Sequence, residues 1–312
     1  MKIGLYLPHW TGAIDGDDPR WADVLQTARA AEQAGFSSVW VIGHHYLRFE
    51  RGRPWSLWDP WSMLAGLAAG TERIALGPLV SCTAHMNPAL LTRTAATVDE
   101  ISGGRLILGI GGGYFGAEFE ALGIPVGERV DRFEEAVQII VGLLRQGRVD
   151  FAGRFYRADL ELDLAQCRPG GPPILIGASH PRMLSLAARY ADLWNAWLPF
   201  STDPIGELRA LRRSLDRACA QEGRDPATLR RTAAVAVGVL GRTVRYGPHE
   251  MVNLGAAQGE IIDRLREMEA EGIEHVQLCF APATPQGIEA LAPVVAAVAQ
   301  PGSPATAPGR TR

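Results

Sequence analysis

Five of the seven histidines (His9, His44, His45, His85 and His180) fall at or just after the ends of short apolar runs. Imidazole ionises near neutrality, so such a ring can accept a proton, donate one or bind a metal. His44 and His45 are adjacent, and neighbours on an extended strand face opposite ways, so both rings reach one ion only if the chain has already turned. Glu50 and Asp59 lie in the following loop without ligand spacing, and no metal site is expected. One packed and one solvated histidine is the plain alternative. The clustering at other run ends favours a ring that holds or moves a proton.

Glycine turns accompany these histidines. Gly109 and Gly111 begin a G-x-G-x-x-G pattern, but position 114 is Tyr, so the dinucleotide fingerprint fails. Gly111, Gly112 and Gly113 can still let a flat ligand or a phosphate approach the backbone, or simply make a tight turn. A second turn, Gly177-Ala178-Ser179, precedes a helix opening at Pro181. Free N–H groups and the helix dipole there suit a phosphate, and Arg182 would add charge if it turned inward; an ordinary helix start is the rival reading. Trp55, Trp58 and Trp61 crowd one loop, while Trp10 and Trp197 end apolar runs. Such indoles either wall a pocket for a planar ligand or bury a loop.

The elements that must position these residues alternate regularly. Apolar runs at 3–7, 38–42, 74–80, 106–110, 174–177, 193–196, 232–240 and 275–280 alternate with helical patterns at 21–34, 60–69, 88–101, 128–146, 181–190, 204–222, 260–271 and 285–299. Runs apolar on both faces read as parallel strands, and eight such repeats predict an α/β fold, a (β/α)8 TIM barrel; a doubly wound sheet is the rival. No linker interrupts residues 1–300, which are expected to form a single domain. Residues 147–173 form an insertion region with a small hairpin, Val149–Phe151 against Arg154–Tyr156. Residues 301–312, rich in Pro, Gly, Ser, Thr and Ala, are expected to be disordered. Barrel chemistry gathers on loops after the strand C-termini, where the histidines and glycine turns fall.

The 312 residues carry a formal net charge of -3 and are 47% hydrophobic. That balance speaks against a nucleic-acid or membrane-surface partner and for a small-molecule substrate. Four scattered cysteines without a C-x-x-C pair, no signal-like N-terminus and no membrane-length apolar run give the expectation of a cytoplasmic protein.

The stretch NPALLTRTAATVDEISGGRLILGIGGGYFGAEFEALGIP (87–125) and the following ERVDRFEEAVQIIVGLL resemble the luciferase-like flavin-dependent oxidoreductases. So do PPILIGASHPRMLSLAARYADLWNAW (172–197) and GEIIDRLREMEAEGIEHVQL (259–278). The resemblance covers residues 1–300 and implies a TIM barrel with an insertion. One branch uses reduced FMN with oxygen as a monooxygenase; the other uses the deazaflavin coenzyme F420 for hydride transfer. ISGGRL, GIGGGYF and the ERVDRFEEA helix are more similar to the F420 branch, whereas G-H-H at 43–45 is similar to the FMN members' E-H-H. Gly112 stands where luciferase-type chains place an arginine for the FMN phosphate, which also favours F420.

The resemblance implies His44 and Tyr114 as catalytic residues. It implies a cofactor site of His44, Leu79, Val80, Ser81, Gly111, Gly112, Gly177, Ala178 and Ser179, with the backbone at Leu79-Val80 bulged through a non-prolyl cis peptide. His9, Trp10, His45, Trp55, Trp58 and Trp197 are the expected substrate-pocket residues. At position 43 relatives carry Asp or Glu where this chain has Gly, leaving His44 without its usual neighbouring carboxylate. Tyr114 stands where sugar-phosphate dehydrogenases of the family carry a Glu. No Lys occurs after Lys2 to clamp a phosphorylated sugar, so an apolar or aromatic substrate is expected. The alternatives are an FMNH2-dependent monooxygenase with a flavin reductase partner, and a non-redox ligand-binding member. A homodimer is compatible with all three.

Overall fold

The structure is a computed structural model describing residues 1–162 and 166–299. The expected disordered tail and the segment 163–165 of the insertion lie outside the described residues. Strands β1 (Lys2–Tyr6), β2 (Ser38–Val41), β3 (Ala75–Pro78, resuming at Ser81–Cys82), β4 (Leu108–Gly111), β5 (Ile174–Gly177), β6 (Leu193–Trp197), β7 (Arg230–Gly238) and β8 (His275–Ala281) are all parallel. β1 pairs with both β2 and β8, and the order then runs β8-β7-β6-β5-β4. The ring closes where Ser81–Cys82 pairs with β4 and Leu76 bridges Leu106. The TIM barrel read from the alternating runs is therefore present.

The barrel helices are α1 (Trp21–Gln33), α2 (Pro60–Gly70), α3 (Pro88–Ile101), α5 (Arg129–Val141), α6 (Pro181–Tyr190), α7 (Pro204–Gln221), α8 (Gln258–Ala270) and α9 (Pro285–Ala299), with a short α4 (Gly116–Ala121) between β4 and α5. Proline at the first turn suits α2, α3 and α7, because that N–H has no intrahelical partner. Asp59, Asn87 and Asp203 accept the next free N–H groups.

The insertion carries an antiparallel hairpin, Arg148–Ala152 with Arg157–Glu161. Residues 154–156, expected in its second strand, form its turn instead. The Glu135 carboxylate holds them there, accepting the N–H groups of Arg154, Phe155 and Tyr156 at 2.7, 2.9 and 3.0 Å.

Two excursions follow strand ends. After β2 a small hairpin pairs Tyr46–Leu47 with Trp55–Ser56; after β7, residues 239–257 include Arg245–Tyr246 paired with His249–Glu250. Inside the barrel, polar side chains satisfy one another. Asn195 donates to Thr232 and Gln277, both at 2.8 Å, and Trp40 donates to Ser38 Oγ, which sits 2.8 Å from His275 Nε2. Burial presses the His275 ring down to a pKa of about 3, so it is neutral and shares a hydrogen bond with the Ser38 hydroxyl.

Candidate active site

A cavity of about 1560 Å³ opens over the C-terminal ends of the strands. Its walls include Tyr6 from β1, the chain after β2, Leu79-Val80, the glycine turns after β4 and β5, and the excursion after β7. The floor is explained by backbone crowding. The Leu79–Val80 peptide is cis, as expected, and the Leu79 N–H is held by the Val41 carbonyl at 2.9 Å. A Cβ at position 43 would lie 2.1 Å from the Val80 carbonyl oxygen, and one at position 111 would lie 2.8 Å from a Val80 methyl. Glycine at 43 is therefore what lets the β2 and β3 ends approach.

This crowding bears directly on His44, which is buried and lines the cavity. The expectation that it lacks a carboxylate is corrected by Glu118 of α4. Glu118 Oε2 lies 2.5 Å from His44 Nδ1, while Oε1 accepts the N–H groups of His45 and Tyr46 at 2.7 and 3.2 Å. Burial works to raise the Glu118 carboxyl, but the His44 hydrogen bond and charge and the backbone donors hold it below its ordinary value. An ionised carboxylate only accepts, so His44 donates from Nδ1, and in the neutral form of the ring Nε2 keeps its lone pair. Glu118 was missed in the sequence because it lies 74 residues from His44 in an acidic stretch that reads as helix surface; G-A-E-F directly after the glycine turn was the available signal.

Tyr114 presents its ring to the cavity beside His44, edge to face at 5.3 Å. Its hydroxyl pairs with that of Tyr246 at 2.7 Å, and Tyr246 was not foreseen. Burial pushes the Tyr114 phenol up to about 12 and the Tyr246 phenol well above its ordinary value, so both stay neutral. Behind Glu118 lies His85. Its side chain is almost wholly buried, its Nε2 is 3.8 Å from Glu118 Oε2, and neither ring nitrogen has a hydrogen-bond partner among the described residues. Burial holds it down to about 4.

Leu79, Val80, Gly111, Gly112, Gly177, Ala178 and Ser179 all line the cavity, as do Trp10, Trp55 and Trp197. The remaining expected positions lie elsewhere. Ser81 turns from the cavity and accepts the Trp61 indole N–H at 3.3 Å. His9 is fully buried, its ring nitrogens at 3.1 and 3.2 Å from the Leu7 and Ile42 carbonyls, which makes it a brace rather than a pocket wall. His45 faces away, 3.8 Å from Asp59, and Trp58 lies on the surface donating to the Pro19 carbonyl. The reason is the backbone at 44–58, which turns immediately after β2 and sends alternate side chains outward.

One end of the cavity has features that a flat, phosphorylated ligand would need. Leu79 and Val80 offer an apolar surface, and Gly177 is open enough that a Cβ would meet nothing nearer than 3.7 Å. α6 starts beside Ser179 with no side chain capping its first N–H groups. Arg182 does not supply charge there, since it pairs outward with Asp131 and Glu134 at 2.5 and 2.7 Å. Arg129, at the start of α5, lines the same end of the cavity instead. Around the opposite side stand aromatic rings: Trp10 stacks on Trp55 at 5.2 Å, and Phe49 and Tyr246 meet Trp55 edge to face at 5.3 and 5.4 Å.

Comparison with known proteins places these features in context. Residues 1–242 match the family model of luciferase-like monooxygenases. The chain is 36% identical over 176 residues to a 5,10-methylenetetrahydromethanopterin reductase of Archaeoglobus fulgidus, covering 56% of this chain and 49% of that protein. The matched segment thus spans about half the length of that relative. An F420-dependent hydroxymycolic acid dehydrogenase of Mycobacterium tuberculosis is 32% identical over 272 residues, 84% of this chain and 72% of that one. Among solved structures, an F420-dependent secondary alcohol dehydrogenase in complex with an F420-acetone adduct superposes with a TM-score of 0.77 at 20% identity, covering 95% of this chain and 98% of the other. That likeness is one of fold. Among the described residues no helix is long and apolar enough to cross a membrane.

Proposed function

Because this chain belongs to the luciferase-like monooxygenase family of oxidoreductases, we propose that it is a coenzyme F420-dependent enzyme exchanging hydride with an apolar or aromatic organic substrate. The observation that carries the reading is His44, fixed by Glu118 so that Nε2 is the free nitrogen, on the wall of an aromatic cavity with an apolar floor. The similarity to relatives named for F420 supports the choice of cofactor.

In this reading Leu79 and Val80 would back the deazaflavin ring, and the Gly111-Gly112 and Gly177-Ala178-Ser179 turns, with Arg129, would hold its phosphate-bearing tail. The bound deazaflavin supplies the two-electron hydride exchange. His44 handles the accompanying proton at Nε2, and Glu118 stabilises the imidazolium formed when that proton arrives. Tyr114, whose phenol burial keeps neutral, acts as a hydrogen-bond donor rather than an acid.

Equilibrium titration with oxidised F420 and, separately, FMN tests this. Saturable F420 binding in the micromolar range or tighter, weakened when Val80 is replaced by Asp, is expected. FMN binding without F420 binding overturns it in favour of the oxygen-using FMN chemistry.

A further inference from the structure

The Tyr114–Tyr246 hydroxyl pair joins two parts of the chain 132 residues apart, across the cavity and beside His44. Two phenols hydrogen-bonded to each other hold two O–H donors, and their mutual bond uses one. The second O–H is therefore available to whatever occupies the cavity, which both rings line and to which Tyr114 is exposed. Several neighbouring polar groups of the cavity are already engaged: Tyr6 donates to the Leu79 carbonyl at 3.3 Å, Asn195 donates to Thr232 and Gln277, Arg242 pairs with Asp15, and Arg245 with Glu250 at 3.4 Å. Around the pair the surface is aromatic. Phe49, Trp55 and Phe200 contact the Tyr246 ring, at 5.6, 5.4 and 6.5 Å between centroids, and Phe115 lies against both Tyr114 and Phe49.

We propose that Tyr246 and Tyr114 together grip the single oxygen of a flat aromatic ketone, or of its secondary alcohol, with the surplus phenolic O–H donated to that oxygen. Three features select this class. A neutral donor pair suits an uncharged oxygen, since a carboxylate or phosphate would call for a cation and the arginines of the β7 excursion are paired. An oxygen held beside His44 is one that gains or loses a proton when its carbon loses or gains hydride, as a carbinol or carbonyl oxygen does. The aromatic rings around the pair offer faces and edges on which an aromatic group can pack. Packing alone does not explain the pair, because phenylalanine at 246 would fill the same space without burying a hydroxyl, and Tyr114 is exposed to the cavity.

This specificity rests on the proposed function for its reaction but not for its test, which uses the protein without cofactor. Quenching of the cavity tryptophans Trp10 and Trp55 reports binding of acetophenone and of α-methylstyrene, which has the same shape with CH2 in place of oxygen. The wild-type protein is expected to bind acetophenone about tenfold more tightly, the scale of one buried hydrogen bond. Tyr246→Phe and Tyr114→Phe, which keep both rings, are each expected to remove most of that preference while leaving α-methylstyrene affinity within about twofold. Equal wild-type affinities, a preference that survives both substitutions, or equal losses for both ligands would each overturn the proposal. Failure to bind F420 would remove the cofactor reading and leave this result standing.

Discussion

Two layers of the same barrel bury histidines and treat them in opposite ways. At the N-terminal end of the barrel, His275 sits against Ser38 and Trp40; nearer the mouth each His9 nitrogen faces a backbone carbonyl, at 3.1 and 3.2 Å. At the site, His44 is tied at one nitrogen only, and the other belongs to the cavity. Burial is similar in all three. What separates the reactive ring from the structural ones is where its remaining nitrogen lies: His9 and His275 are shut in the barrel, whereas the nitrogen that Glu118 leaves to His44 belongs to a ring on the cavity wall.

The strongest way to break that contrast is His44→Ala. It is expected to lower kcat by about 10²–10⁴ in steady-state assays while cofactor affinity from titration stays within a few-fold. The matching His9→Phe substitution should reduce melting temperature and leave kcat per folded molecule close to wild type. If both variants lose turnover alike, access to the cavity is not what distinguishes the rings.

Glu118→Gln sharpens the comparison, with an expected kcat loss of about 10² or more by the logic of an orienting carboxylate. The amide can still face the backbone N–H groups through its oxygen, but its NH2 then faces His44 Nδ1 and forces the proton onto Nε2, the wrong tautomer for a base. Ring-nitrogen NMR of the variant should show this reversal. A variant with the wild-type tautomer and reduced rate would point to charge rather than orientation.

Gly43→Ala probes the crowding that places His44. A methyl group 2.1 Å from the Val80 carbonyl has to displace one strand end, costing about 1–3 kcal/mol in urea denaturation. An unchanged midpoint would mean that the β2 and β3 ends have slack.

Acid tests the structural ring through stability rather than turnover. The His275 pKa is depressed to about 3, so the folded state binds fewer protons than the unfolded chain below the ordinary histidine value. Its contribution is fully present above about pH 6.5 and is lost progressively as pH falls toward 3, at up to about 1.4 kcal/mol per pH unit. His85, depressed to about 4, adds to the same slope over the upper part of that range. Denaturation midpoints at pH 7, 5.5 and 4.5 should fall in that order, and His275→Gln should flatten the trend. A flat wild-type profile would contradict the neutral assignment.

Much of this molecule is determined by local sequence. Apolar runs at strand length, proline after Asp or Asn, and glycine turns after the runs are local properties, and they specify eight strands, the helix starts and the mouth at which His44 stands. The long resemblance from Asn87 onward carried the family, and Gly111, Gly112, Gly177, Ala178 and Ser179 within it line the cavity. Only tertiary structure decided which side chains meet. Glu118 replaces a carboxylate missing at position 43 from 74 residues away, and Tyr246 reaches Tyr114 across the cavity from a hairpin with no distinct sequence pattern. His9, His45 and Trp58 have the right residue types in the right neighbourhood, yet backbone turns point them elsewhere. Periodicity is read along one chain; hydrogen-bond partners are settled between segments, by packing that no short window of sequence contains.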